Sequence, residues 1–127
     1  MEKQPIVLVL DDNKINNFIC EKIIEKYSSE ISTKSFLLSE EGLTFILTNG
    51  TKIKLLILDI SMPLYDGWEI LTKMKKENIF IPTIILTSSI NEEDKLRSQA
   101  FPMVVDFQAK PVSYEIFFPL LEKYVPL

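Results

Sequence analysis

Residues 55–71 read LLILDISMPLYDGWEIL. Leu55 to Leu58 are too uniformly apolar for a strand with one wet face, so a strand over 55–59 covered on both sides is predicted. That strand ends on a carboxylate, Asp59. The connection after it contains Pro63 and closes on Asp66, three residues before Glu69, the spacing of a helix capping box. Leu71 and Met74 then recur at helical spacing. Strand, loop and capped helix in this order predict one β-α unit.

The same pattern recurs on either side. IVLVL (6–10) and TIILT (83–87) are further continuous apolar runs, and ISTKSFL (31–37) and MVVDF (103–107) are weaker strand candidates. Between them, Ile15, Phe18, Ile19, Ile23 and Tyr27 keep a helical period, as do Leu43, Ile46 and Leu47, and finally Tyr114, Phe117, Phe118, Leu121 and Val125. Ser39 before Glu40 and Glu41, and Asn91 before Glu92, Glu93 and Asp94, give capping oxygens with acid in the first turn. Five successive β-α units with right-handed crossovers make a parallel sheet between two helical layers, a doubly wound α/β fold. The 127 residues are the length of a single domain, read as 1–127 with no effector domain.

Composition removes several classes of function. There is no histidine, which excludes His-based triads, His general bases and a phosphohistidine within this chain. The single cysteine, Cys20, cannot close an internal disulfide, so a reducing, cytoplasmic setting is expected, with the thiol a partly buried bystander. Fourteen basic against eighteen acidic residues give a net charge of −4, which disfavours binding to a nucleic acid backbone. The MEKQP opening has no basic segment followed by an apolar stretch, and no apolar run is long enough to span a bilayer. With three glycines only, Gly42, Gly50 and Gly67, neither a GxGxxG nor a GxxxxGK phosphate loop exists.

In a doubly wound sheet, function sits at the carboxyl ends of the strands. Those ends carry Asp11 and Asp12, Asp59, Thr87 with the small Ser88, and Lys110 before Pro111. Three converging carboxylates repel one another and call for a compensating cation. With only oxygen ligands at hand, the hard ion Mg²⁺ is the expected one, leaving room for phosphate oxygens. Lys110 adds a point charge and Thr87 a hydroxyl donor, which together suit a phosphoryl group; Asp59, ending the central strand, is the expected nucleophile.

The set VLVLDDN, LLILDISMPLYDGWEIL, TIILTSS and DFQAKPV, in that chain order, resembles the receiver domain of two-component response regulators over essentially the whole chain. The resemblance implies a flavodoxin-like strand order, 2-1-3-4-5. It further implies that Asp59 accepts a phosphoryl group from a phosphohistidine on a histidine kinase or histidine phosphotransfer protein, with Mg²⁺. Asp12 and Asp59 would ligate the metal directly, Asp11 largely through water, and Ser61 through its backbone carbonyl. Thr87 would turn inward onto the phosphate and Lys110 would pair with it. Phe107 matches the family's aromatic switch position, and with Thr87 it would couple the site to the face made by the fourth helix, fifth strand and fifth helix, through which a homodimer is also expected. A cis Lys110-Pro111 bond belongs to the same pattern.

Two other readings compete. A Mg²⁺-dependent phosphohydrolase with an aspartate nucleophile commonly has a second Asp two residues on, where this chain has Ser61. A pseudo-receiver or flavin-binding module would not require the full acid, hydroxyl and lysine set. The chain also departs from the family pattern. Gln99, Ala100, Phe101 and Pro102 stand where a glycine turn is common, so an early end or a shift of the fourth helix is expected. Pro119 falls inside the last helical stretch, predicting a kink or a late start there.

Overall fold

The side chains of each apolar run alternate between two different cores, which is why the runs are continuous. In the computed structural model, which describes residues 4–127 and so leaves the first three residues of the MEKQP opening outside the described residues, strand β1 (Ile6–Leu10) sends Val7 and Val9 to one side and Leu8 and Leu10 to the other. Strand β3 (Ile53–Asp59) divides in the same way, Leu55 and Ile57 against Leu56 and Leu58. With β2 (Ser32–Phe36), β4 (Thr83–Thr87) and β5 (Val104–Ala109) these strands form one fully parallel sheet in the order β2-β1-β3-β4-β5.

Helices α1 (Lys14–Tyr27) and α5 (Tyr114–Tyr124) cover one face through Cys20, Ile23, Ile24, Phe117 and Leu121. Helices α2 (Ser39–Asn49) and α3 (Gly67–Lys76) cover the other through Leu43, Ile46, Trp68, Ile70, Leu71 and Met74. The fold is the expected flavodoxin-like three-layer sandwich, with every loop at the carboxyl end of the sheet brought to one rim.

Several boundaries differ from the reading of the sequence. β3 starts at Ile53, two residues early, because Ile6 pairs with Ile53 while Val7 pairs with Leu55; the exposed Lys54 is an extra residue that hides the strand's beginning. β5 lies at 104–109 rather than 103–107, since Met103 precedes the strand and its carbonyl accepts from Thr83 N–H. The buried stripe of α1 is Asn17, Cys20, Ile23 and Ile24; Ile15 and Phe18 face solvent. Of the expected stripe, Ile23 is buried and Ile19 and Tyr27 pack against the core, while apolar residues on the other side of the helix, Ile15 and Phe18, made the predicted inner face too wide. Cys20 is fully buried, and burial, reinforced by the charge of Asp11, pushes its thiol up to about 12, leaving it inert.

Capping was read correctly at Asp66, where the reciprocal bonds with Glu69 are formed, and at Asn91, whose side chain accepts from Asp94 N–H. Ser39 is not a cap. It lies inside the first turn of α2, and its hydroxyl donates to Pro63 O and accepts from Tyr65 N–H, tying the β2-α2 loop to the loop that follows Asp59.

Helix α4 (Glu92–Ser98) does end early and buries none of its residues. In place of a glycine turn, Phe101 stacks on Trp68 with ring centres 5.9 Å apart, Arg97 lies 4.9 Å over the same indole, and Lys75 donates to Ala100 O. α5 starts on time at Tyr114 and continues through Pro119, so the late start does not occur.

Candidate functional site

The carboxyl ends of β1 and β3, and the segment after β5, bring Asp11, Asp12, Asp59 and Lys110 together. One carboxylate oxygen from each of the three acids lies within 4.8 Å of the others. Asp11 and Asp59 are buried and Asp12 is exposed, so the cluster opens to solvent on the Asp12 side. Lys110 Nζ is 2.9 Å from Asp11 Oδ2 and 3.3 Å from Asp59 Oδ2. The first contact is a close ion pair on a fully buried carboxylate. The remaining oxygens are held by backbone, Asn13 N–H donating to Asp11 Oδ1 and Ser61 N–H to Asp59 Oδ1.

Charge at the site is unbalanced. Burial pushes the Asp59 carboxyl up to about 6; the Ser61 N–H and Lys110 pull against the rise, and Asp11 adds to it. Burial also lowers the Lys110 ammonium, but its pairing with Asp11 and Asp59 outweighs that and its net shift is upward. Three carboxylates against one ammonium leave an excess of negative charge that a divalent cation would offset. An all-oxygen donor set with one side open to water fits Mg²⁺.

Thr87 ends β4 beside the cluster, but its hydroxyl is turned to its own loop, donating to Ser89 O at 3.0 Å and accepting from Ser89 N–H at 3.4 Å. Phe107 is half-buried and packs on the core formed with α2 and α3, beside a groove of about 360 Å³ between α4 and β5 that Ile90, Lys95 and Val105 also line. The peptide bond between Lys110 and Pro111 is cis, and Lys110 N–H donates to Thr87 O, joining the ends of β4 and β5. A larger hollow, about 820 Å³, lies at the opposite end of the sheet, near Ile53, Ile81 and Pro82, away from the acids.

Gly67 sets how closely α3 approaches the end of β3. Its N–H donates to Ile60 O, and a Cβ there would stand 2.7 Å from Ile60 Cα and 3.1 Å from Asp59 O. Both neighbours are backbone and cannot turn aside. Gly67→Ala is therefore expected to cost about 1–3 kcal/mol of stability, read by denaturant unfolding. An unchanged midpoint would show that the loop after Asp59 is looser than this packing implies.

The family profile described as the response regulator receiver domain matches residues 7–118. The chain belongs to the response regulator receiver family. The receiver is 34% identical over 103 residues to the two-component response regulator ARR17 of Arabidopsis thaliana, covering 69% of this chain and 64% of that protein. It is 30% identical over 125 residues to the sensor histidine kinase CheAY of Helicobacter pylori, covering 96% of this chain and 15% of the kinase. The chain thus spans less than two thirds of either relative. Among solved structures, the Francisella response regulator 1452 receiver domain superposes with a TM-score of 0.76 at 33% identity, covering 95% of this chain and 98% of that one. A receiver domain from Clostridium thermocellum gives a TM-score of 0.82 at 22% identity, covering 95% and 94%, a likeness of fold.

Every site residue expected of the receiver lies at this rim or on the strand beneath it. Two contributors were missed, Asn17 and Ser39. Asn17 has a legible signal, an amide on the same helical stripe as Cys20 and Ile24; the role of Ser39 depends on which loops meet and leaves no trace in local spacing.

Proposed function

We propose that this receiver accepts a phosphoryl group on Asp59 and relays the change through the α4-β5-α5 face. The observation that carries the reading is the cluster itself: a buried, raised carboxyl between two further acids and a lysine. A phosphohistidine on a separate kinase or phosphotransfer protein is the proposed donor. An Asp59 oxygen forms the new P–O bond as the donor's P–N bond breaks, and the electron pair of that bond stays on the imidazole nitrogen.

Asp12 and Asp59 would hold Mg²⁺ directly, Asp11 through water and Ser61 through its carbonyl. When bound, the ion supplies positive charge against the equatorial oxygens of the transferring group. Lys110, already 3.3 Å from Asp59 Oδ2, stabilises the same charge from the other side. Thr87 would exchange its bonds to Ser89 for the phosphate, releasing the β4-α4 loop and biasing Phe107 inward beside the α4-β5 groove.

Ser61 stands where an aspartate-nucleophile phosphohydrolase would have its acid, which favours an acceptor that holds its phosphate over a turnover enzyme. The setting we infer is cytoplasmic, with a second copy or another protein on the output face and no nucleic acid contact. Among the described residues no helix is long and apolar enough to cross a membrane.

Phosphoramidate, a small donor with a P–N bond, tests the chemistry. With Mg²⁺ it should add one labile phosphoryl group, seen by intact mass, and chelator should suppress the addition. Metal binding without an adduct would point to a binding-only pseudo-receiver.

A further inference from the structure

We propose that Asn17 is a positioning residue for the metal centre, fixing the direction in which Asp12 enters it; this rests on the Mg²⁺ reading above. Asn17 is on the first turns of α1, 4% exposed. Its Nδ2 donates to Asp11 O at 3.0 Å and, at 3.4 Å, to Phe36 O, the carbonyl that also accepts Asp11 N–H. One side chain therefore joins the end of β1, the end of β2 and the start of α1.

The Asp11 carbonyl belongs to the peptide that leads into Asp12. Fixing that peptide plane fixes the direction from which the Asp12 side chain sets out. This matters because Asp12, unlike Asp11 and Asp59, is exposed and has no side-chain hydrogen bond or ion pair among the described residues. Its carboxylate is aimed by its backbone alone. Of the three acids it is the one whose placement Lys110 does not help.

Asn17 also carries a feature that core packing would not favour. Its Oδ1 is buried with no donor, on a stripe otherwise made of Cys20, Ile23 and Ile24. Leucine, similar in size, would remove that orphan oxygen while leaving Asp11 O without its donor, so one unpaired acceptor is exchanged for another. The fold should tolerate the change, and the aim of Asp12 should not.

The test is calorimetric titration with Mg²⁺ alone on wild type, Asn17→Leu and Asn17→Ala, with thermal melts of each in EDTA. Loss of an outer-shell support lowers metal affinity by about tenfold or more, which is the weakening expected in both variants. Asn17→Leu should melt close to wild type in EDTA and should still take up phosphoryl group from phosphoramidate at saturating Mg²⁺. Both variants binding Mg²⁺ within about twofold of wild type would overturn the role. So would a loss of affinity accompanied in both variants by a fall in melting temperature in EDTA that corresponds to an equal loss of free energy, which marks Asn17 as merely structural. A wild type that gives no Mg²⁺ binding overturns the reading of the site together with this role, whereas variants that bind as wild type does overturn this role alone.

Discussion

Asp59→Asn is expected to take up no phosphoryl group from phosphoramidate in Mg²⁺, while wild type takes up one. The reason is chemical: an amide oxygen is a far poorer nucleophile than a carboxylate and cannot form the acyl phosphate with neutral balance. The fold should persist, because asparagine is isosteric and its Oδ1 can still accept from Ser61 N–H. Lys110→Ala separates the acceptor from its electrostatic support. The acceptor survives, so an adduct should still form, but about 10²-fold more slowly, the usual loss when one preorganised positive group is removed from a developing charge. Intact mass against time measures both. Labelling of Asp59→Asn at the wild-type rate would refute the assignment of the acceptor.

Asp59→Asn should also melt above wild type when both are in chelator at neutral pH. Burial raises the Asp59 carboxyl to about 6 in the folded chain against its ordinary 3.8, so the folded chain binds its proton more readily than the unfolded chain does. The contribution of this group to stability is complete below about pH 4 and is lost as pH rises through 6, opposite in sign to an ordinary salt-bridged carboxylate. At neutral pH the ionised group costs the fold on the order of 2 kcal/mol, which the neutral amide avoids. For a domain of this length the gain amounts to about 5–10 °C in Tm. It should shrink towards zero near pH 4, where wild type is protonated, and Mg²⁺ should narrow it at neutral pH by binding wild type better. A mutant that melts below wild type in chelator at neutral pH would show that Lys110 and Ser61 overcome the burial of Asp59.

The sequence made the sheet legible because burial on both faces leaves unbroken apolar runs, and it made the acids legible because each ends such a run. It did not reveal which way side chains turn at the rim. Thr87 was placed correctly at the end of β4, yet its hydroxyl is committed to Ser89, since nothing in TIILTSS says that the loop will fold back on it. Ser39 looked like a cap because it precedes two glutamates; only the approach of the segment around Pro63 shows that its hydroxyl bridges two loops. In α1 the apolar stripe was read too wide: Ile19, Ile23 and Tyr27 meet the core, but Ile15 and Phe18, as hydrophobic as the residues that are buried, do not. Local pattern fixes elements and their ends, whereas contacts between loops depend on the assembled chain.

The aromatic seam beside α4 has a practical consequence. Trp68 is the sole tryptophan of the protein and is in contact with both Arg97 of the fourth helix and Phe101 just beyond it. An indole in that position is an optical probe already built into the chain. Its emission responds to whether the guanidinium is above the ring and water is kept out, so a fluorimeter trained on unlabelled protein gauges the docking of a helix that no buried residue holds in place.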